Sequence, residues 1–171
     1  MTNAVSWLSP PRYLSVTDSL SYTDSMDKPF TPPTPEQIDR LLKYLPVFQQ
    51  PDFIPSTDQQ VPEALRGSLM SMGQEWAPEL SAFHKAVYEE GFAFSFPWVN
   101  WQDQAEAYVK HPETLANADI QDICRLLTTH VRKERFCEGH LPAMMYCGHI
   151  TQVLERLQAI RHGADIAAQG E

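Results

Sequence analysis

The sequence is short of most features that announce a function. It has only three cysteines, Cys124, Cys137 and Cys147. An odd number without framework spacing excludes a disulfide scaffold and fits a reducing compartment. Its seven glycines are scattered as helix stops, so no Gly-rich phosphate loop is present. No apolar run approaches the roughly 20 residues that span a bilayer. Residues 1–8 lack the basic flank and apolar core of a secretory signal. A cytoplasmic protein without a membrane partner is the reading that remains. Bases are also scarce, 13 Lys and Arg against 22 Asp and Glu, for a net charge of −9. That balance disfavours general nucleic-acid binding, which draws its affinity from cations. Gly-x-Ser-x-Gly, His-Glu-x-x-His and Asp-rich metal loops are missing, so no catalytic residue is assigned and no cofactor is expected.

What is present is helical pattern. At 171 residues the chain is expected to hold one domain. Residues 1–33 are rich in Ser, Thr, Pro and Asp without periodicity and read as a flexible arm; residues 163–171 read as a flexible tail. Between them, residues 34–162 should form the domain. Thr34, with Pro35 and Gln37 behind it, forms a capping-box start, and Ile38, Leu41, Leu42 and Leu45 follow on one face up to Pro46. A short helix is predicted after Pro62. Leu80, Phe83, Val87 and Tyr88 mark a helix over about 78–90, stopped by Gly91. Residues 92–98 read as an extended connector because of Pro97. Asn100 and Asp103 suggest a cap for a helix that ends before Pro112. Asp119 caps the longest predicted helix, about 120–137, with Ile120, Ile123, Cys124, Leu127 and Val131 on its stripe. Gly139 ends it, Pro142 opens a short helix, and a last helix should run over about 149–162 to a stop at Gly163. The fold class is all-α: a single compact bundle of five to six short helices.

Charge is uneven along this bundle. Residues 36–122 hold fourteen acids against five bases, whereas residues 123–162 hold six bases against three acids. The basic part contains the most unusual stretch, Arg132-Lys133-Glu134-Arg135-Phe136-Cys137-Glu138-Gly139-His140.

That stretch also carries a resemblance. Leu41-Leu42-Lys43-Tyr44-Leu45-Pro46-Val47-Phe48, Phe96-Pro97-Trp98 with Trp101, and residues 126–139 followed by Gly148 and Leu154-Glu155-Arg156-Leu157 resemble a family of small bacterial domains of unknown function. The Leu-Thr, Arg-x-x-Arg-Phe and Glu-Gly combination is its most specific part. The resemblance implies a compact helical domain and carries over no catalytic residue.

Three constellations are candidates for chemistry. Arg132, Arg135 and Glu138, with Arg125 and Lys133, form a candidate edge for an anion or a partner's carboxylate, since guanidinium pairs with both. The structural alternative is an internal network in which Arg132 or Arg135 pairs with an acid such as Glu138, Asp103 or Glu106, and it is the favoured one. Cys137, His140, Cys147 and His149 are four ligands that zinc accepts, although they contain at most one Cys-x-x-Cys-like clip; buried cysteines and surface histidines are the bland alternative. His130 and Glu134, four apart, read as a helix-surface ion pair. Phe96, Trp98, Trp101 and Phe136 are assigned as aromatic anchors of the core, with Phe136 buried at the helix corner.

The leading functional reading is a non-catalytic accessory or interaction domain with an unidentified protein partner. Binding of nucleic acid or another anion by the basic helices is the alternative, and a metal site or enzyme at the Cys/His junction is a third.

Overall fold

The computed structural model describes residues 29–56 and 75–169, with side chains to residue 163. Residues 1–28 and the helix expected after Pro62 lie outside the described residues. The first helix, α1 (Pro35–Leu42), starts as its sequence demands. The Thr34 hydroxyl accepts the Gln37 N–H, and the Gln37 side chain accepts the Thr34 N–H at 2.7 Å. Pro46 does not end the structure but sits in the first turn of a second helix, α2 (Leu45–Phe48), where its missing N–H costs nothing. Then come α3 (Pro78–Glu89), α4 (Gln102–Lys110), α5 (Ile120–Lys133), α6 (His140–Tyr146) and α7 (His149–Gln169). Two 3₁₀ turns, Trp98–Trp101 and Pro112–Asn117, flank α4. No strand forms among the described residues; Ser56 and Trp76 make an isolated antiparallel bridge. The protein is all-α.

Helix α5 is the axle. It touches α3, α4, α6, α7 and the first 3₁₀ turn. Asp119 caps its start, accepting the Asp122 N–H at 2.8 Å. Ile123, Leu126, Leu127 and Val131 are wholly inaccessible to solvent. Helix α7 closes the bundle against α1, α2 and α6. Leu41, Leu45, Phe83, Val87, Ile123, Leu127, Val131, Leu154 and Leu157 are buried in one core, and Trp101 packs against it partly buried.

Residues 92–97 are the expected extended connector. Phe92 is buried, and Thr128 of α5 pins the backbone on either side of Ala93. The Thr128 hydroxyl bonds the Cys124 carbonyl at 2.7 Å, stands 3.2 Å from the Phe92 carbonyl, and accepts the Phe94 N–H at 3.3 Å. From there an aromatic row runs Phe30, Phe94, Phe96, Trp101, Tyr108, each ring 5.0 to 6.2 Å from the next.

Four expectations are corrected. Helix α5 stops at Lys133, a turn earlier than 137. Helix α4 begins at Gln102 without a side-chain cap, so Asn100 and Asp103 do not cap it. Helix α7 runs through Gly163 to Gln169, so the tail expected from 163 is helical over most of its length. A glycine costs a helix only about 1 kcal/mol, too little to stop one by itself. Phe136, finally, is 77% exposed. With α5 ended at Lys133, Phe136 falls in the turn rather than on the buried stripe.

Candidate functional site

The turn between α5 and α6 is held by Glu134. Its carboxylate accepts the N–H of Gly139 at 2.8 Å and of Leu141, two donors at the start of α6 that no helical carbonyl reaches. Gly139 has φ +85°, a left-handed conformation that a side chain would strain. Glu134 therefore does not pair with His130, as the spacing had predicted. Glu134→Ala is expected to cost about 1.5–3 kcal/mol in a urea titration, the range for hydrogen bonds to a charged group. A loss under roughly 0.5 kcal/mol would mean that water replaces the carboxylate at no cost.

This latch seats His140 against α5. His140 Nε2 and His130 Nδ1 share a hydrogen bond at 3.0 Å, their rings 5.2 Å apart. His149, at the start of α7, sets its ring edge-on to His130 at 5.0 Å. Three histidines from three helices thus meet under the junction. His130 and His149 are each only 2% exposed, which corrects the expectation of surface histidines. Burial is the main reason that all three stay neutral: it lowers His130 far below the ordinary imidazole range and takes His140 and His149 to about 4. His130 Nε2 and both nitrogens of His149 are buried without a hydrogen-bond partner.

The cysteines are not drawn in. Cys137 and Cys147 are exposed, and the Cys147 thiol donates to the Met144 carbonyl at 3.4 Å. Cys124 is buried, which pushes its thiol up to about 12 and leaves it without nucleophilic character. Among the described residues no three His, Cys, Asp or Glu side chains form a group able to hold a metal ion. Of Cys137, His140, Cys147 and His149, the two histidines join the His130 cluster and the two cysteines face outward.

The basic residues divide sharply. Arg125 pairs with Asp122 at 3.4 Å, Arg156 donates to the Ala118 carbonyl at 2.9 Å, and Arg161 grips both oxygens of Asp39 at 3.1 and 3.2 Å. Those three serve the fold. Arg132 and Arg135 have no acid within 4.0 Å among the described residues, so the internal pairing with Glu138, Asp103 or Glu106 is not formed. Glu106 binds Lys110 instead, at 2.7 Å, and Glu138 is exposed. Beside these arginines Phe136 stacks on Trp98, centroids 5.9 Å apart and planes 25° off parallel. Val99, 59% exposed, extends the apolar surface. Of the four expected core anchors, Trp101 packs against the core, Phe96 and Trp98 are half-buried, and Phe136 is exposed.

Sequence reasoning placed His130 on the helix surface, although the signal for its burial was there. His130 lies seven residues after Ile123 and three after Leu127, on the inward stripe of α5.

The arrangement defines a small all-α domain with a buried histidine cluster beneath a cationic, aromatic corner. The chain belongs to a family of unknown function, DUF6508, whose model matches residues 33–163. No curated protein and no solved structure matches it. Among the described residues no helix is long and apolar enough to cross a membrane.

Proposed function

We propose that this chain is an interaction domain that docks an acidic segment of a partner protein on the Trp98–Phe136 corner. The observation that carries the reading is Phe136, 77% exposed and stacked on Trp98, directly after Arg135 in the chain and four residues after Arg132, neither of which has an acid partner among the described residues. A large aromatic kept in water gains little for the fold, and aromatic and Arg side chains dominate the binding energy of protein interfaces. The arginines supply bidentate donors for carboxylates, and the rings supply apolar area. A protein partner fits better than nucleic acid. Arg125, Arg156 and Arg161 are occupied within the fold, and the remaining cations are too few to release many counterions from a polyanion that the net charge of −9 repels.

The test is capture from the native lysate by immobilised protein, eluted with salt, using wild type, Phe136→Ala and Arg135→Glu side by side. Wild type should retain a protein that both variants lose. Phe136→Ala should weaken binding by at least about tenfold, as for an interface anchor, while unfolding stays within about 0.5 kcal/mol of wild type. Equal capture by all three would overturn the reading, and nucleic acid in the wild-type eluate alone would replace the partner class.

A further inference from the structure

A pocket of about 310 Å³ opens between α4, α5 and α6. This is the size of the smallest ligand sites in proteins. Its inner end is formed by Thr129, His130 and His140, and its side walls include Ala105, Val109 and Met144. Two polar atoms of these lining residues are buried and unsatisfied: the Thr129 hydroxyl and His130 Nε2, both on residues only 2% exposed. Thr129 is unlike its neighbour Thr128, whose hydroxyl bonds the carbonyl one turn back. A buried unpaired polar group costs about 1–3 kcal/mol, so two on residues that line one cavity mark it as a candidate ligand site. The rim carries Lys133, which forms no ion pair among the described residues, and the Lys110–Glu106 pair with Gln102. The charges around the pocket sum to a single positive one, from Lys133.

We propose that this pocket binds a small organic monocarboxylate, its carboxylate held by the Thr129 hydroxyl, His130 Nε2–H and the Lys133 ammonium, its apolar body against Ala105, Val109 and Met144. The histidine pair sets the donor. When His140 donates Nε2–H to His130 Nδ1, neutral His130 carries its own proton on Nε2, directed at the ligand. One net positive charge matches a monoanion; a phosphate dianion would face Glu106 with an excess negative charge. Met144 and the apolar wall of α4 favour a carbon body over a bare inorganic ion.

Benzoate is a suitable probe, with benzyl alcohol as its uncharged isostere and inorganic phosphate as the dianion. Protein labelled with ¹⁵N in its histidines and backbone is titrated with each and followed by NMR. Benzoate should shift the His130 and His140 imidazole signals and the Thr129 amide saturably, and fix His130 as the Nε2–H tautomer. Benzyl alcohol and phosphate should not. Lys133→Met should weaken benzoate by at least about tenfold, the loss of one charge-assisted hydrogen bond, with an unchanged urea midpoint. Thr129→Val, which keeps the shape, should weaken binding and raise the urea midpoint by removing an orphan hydroxyl. A midpoint lowered by Thr129→Val would show that the hydroxyl serves the fold. No saturable shift with benzoate overturns the proposal, as does an equal response to benzyl alcohol or phosphate, or unchanged affinity in Lys133→Met.

Discussion

Lowering the pH from 7 to 5 is expected to destabilise the domain by about 4 kcal/mol through His130 and His149. Both imidazoles are neutral in the fold, His149 with a pKa of about 4 and His130 well below its ordinary value, because burial penalises their charged forms. In the unfolded chain each takes up a proton near pH 6.5. The folded pKa is the depressed one, so the unfolded state binds more protons throughout this window. Stability is complete above about pH 6.5 and falls as pH drops towards 4. Each buried histidine contributes about 2 kcal/mol of that loss at pH 5. His140 is partly open to solvent and adds less. Urea midpoints at pH 7, 6 and 5 measure the effect, and His149→Gln should remove about half of the slope. A midpoint that stays flat from pH 7 to 5 would show that the cluster already holds a proton or a counter-ion in the fold.

Phe83→Ala should be the most damaging single truncation, at about 3–5 kcal/mol. The Phe83 ring has no exposed surface and meets Tyr44 and Phe48 edge-on at 5.7 and 5.3 Å. Those partners lie on α2 and just before it, so the cavity would open where α3 supports the first helices. Domains of this size have total stabilities of roughly 5–15 kcal/mol, which makes such a loss visible as partial unfolding at moderate temperature. Phe136→Ala, the same chemical change at an exposed position, should cost almost nothing. Equilibrium urea unfolding of the pair separates the two environments. Similar losses in both would contradict the burial described here.

The sequence was most legible where the physics is local. Thr34 and Asp119 each bond a backbone N–H three residues on, so their caps need nothing from the rest of the chain. The stripes on α1, α3, α5 and α7 were equally readable, since each needs only its own 3.6-residue period. The ends of α5 and α7 were not. Whether a helix runs one turn further depends on what covers that turn, and at Glu134 the carboxylate folds back onto Gly139 and Leu141. The histidine cluster was the least visible part. His130, His140 and His149 meet only because α6 doubles back beneath α5, and no spacing in the chain records that turn. The charge asymmetry, by contrast, was plain from composition, but its meaning depended on which arginines the fold consumes.

The grip of Arg161 on Asp39 joins residues 122 positions apart, the last helix closing over the first. Without α7, the faces of α1, α2, α5 and α6 that pack on it would have no lid. A chain cut before this closing helix would therefore be a sticky, unfinished bundle rather than a smaller working one.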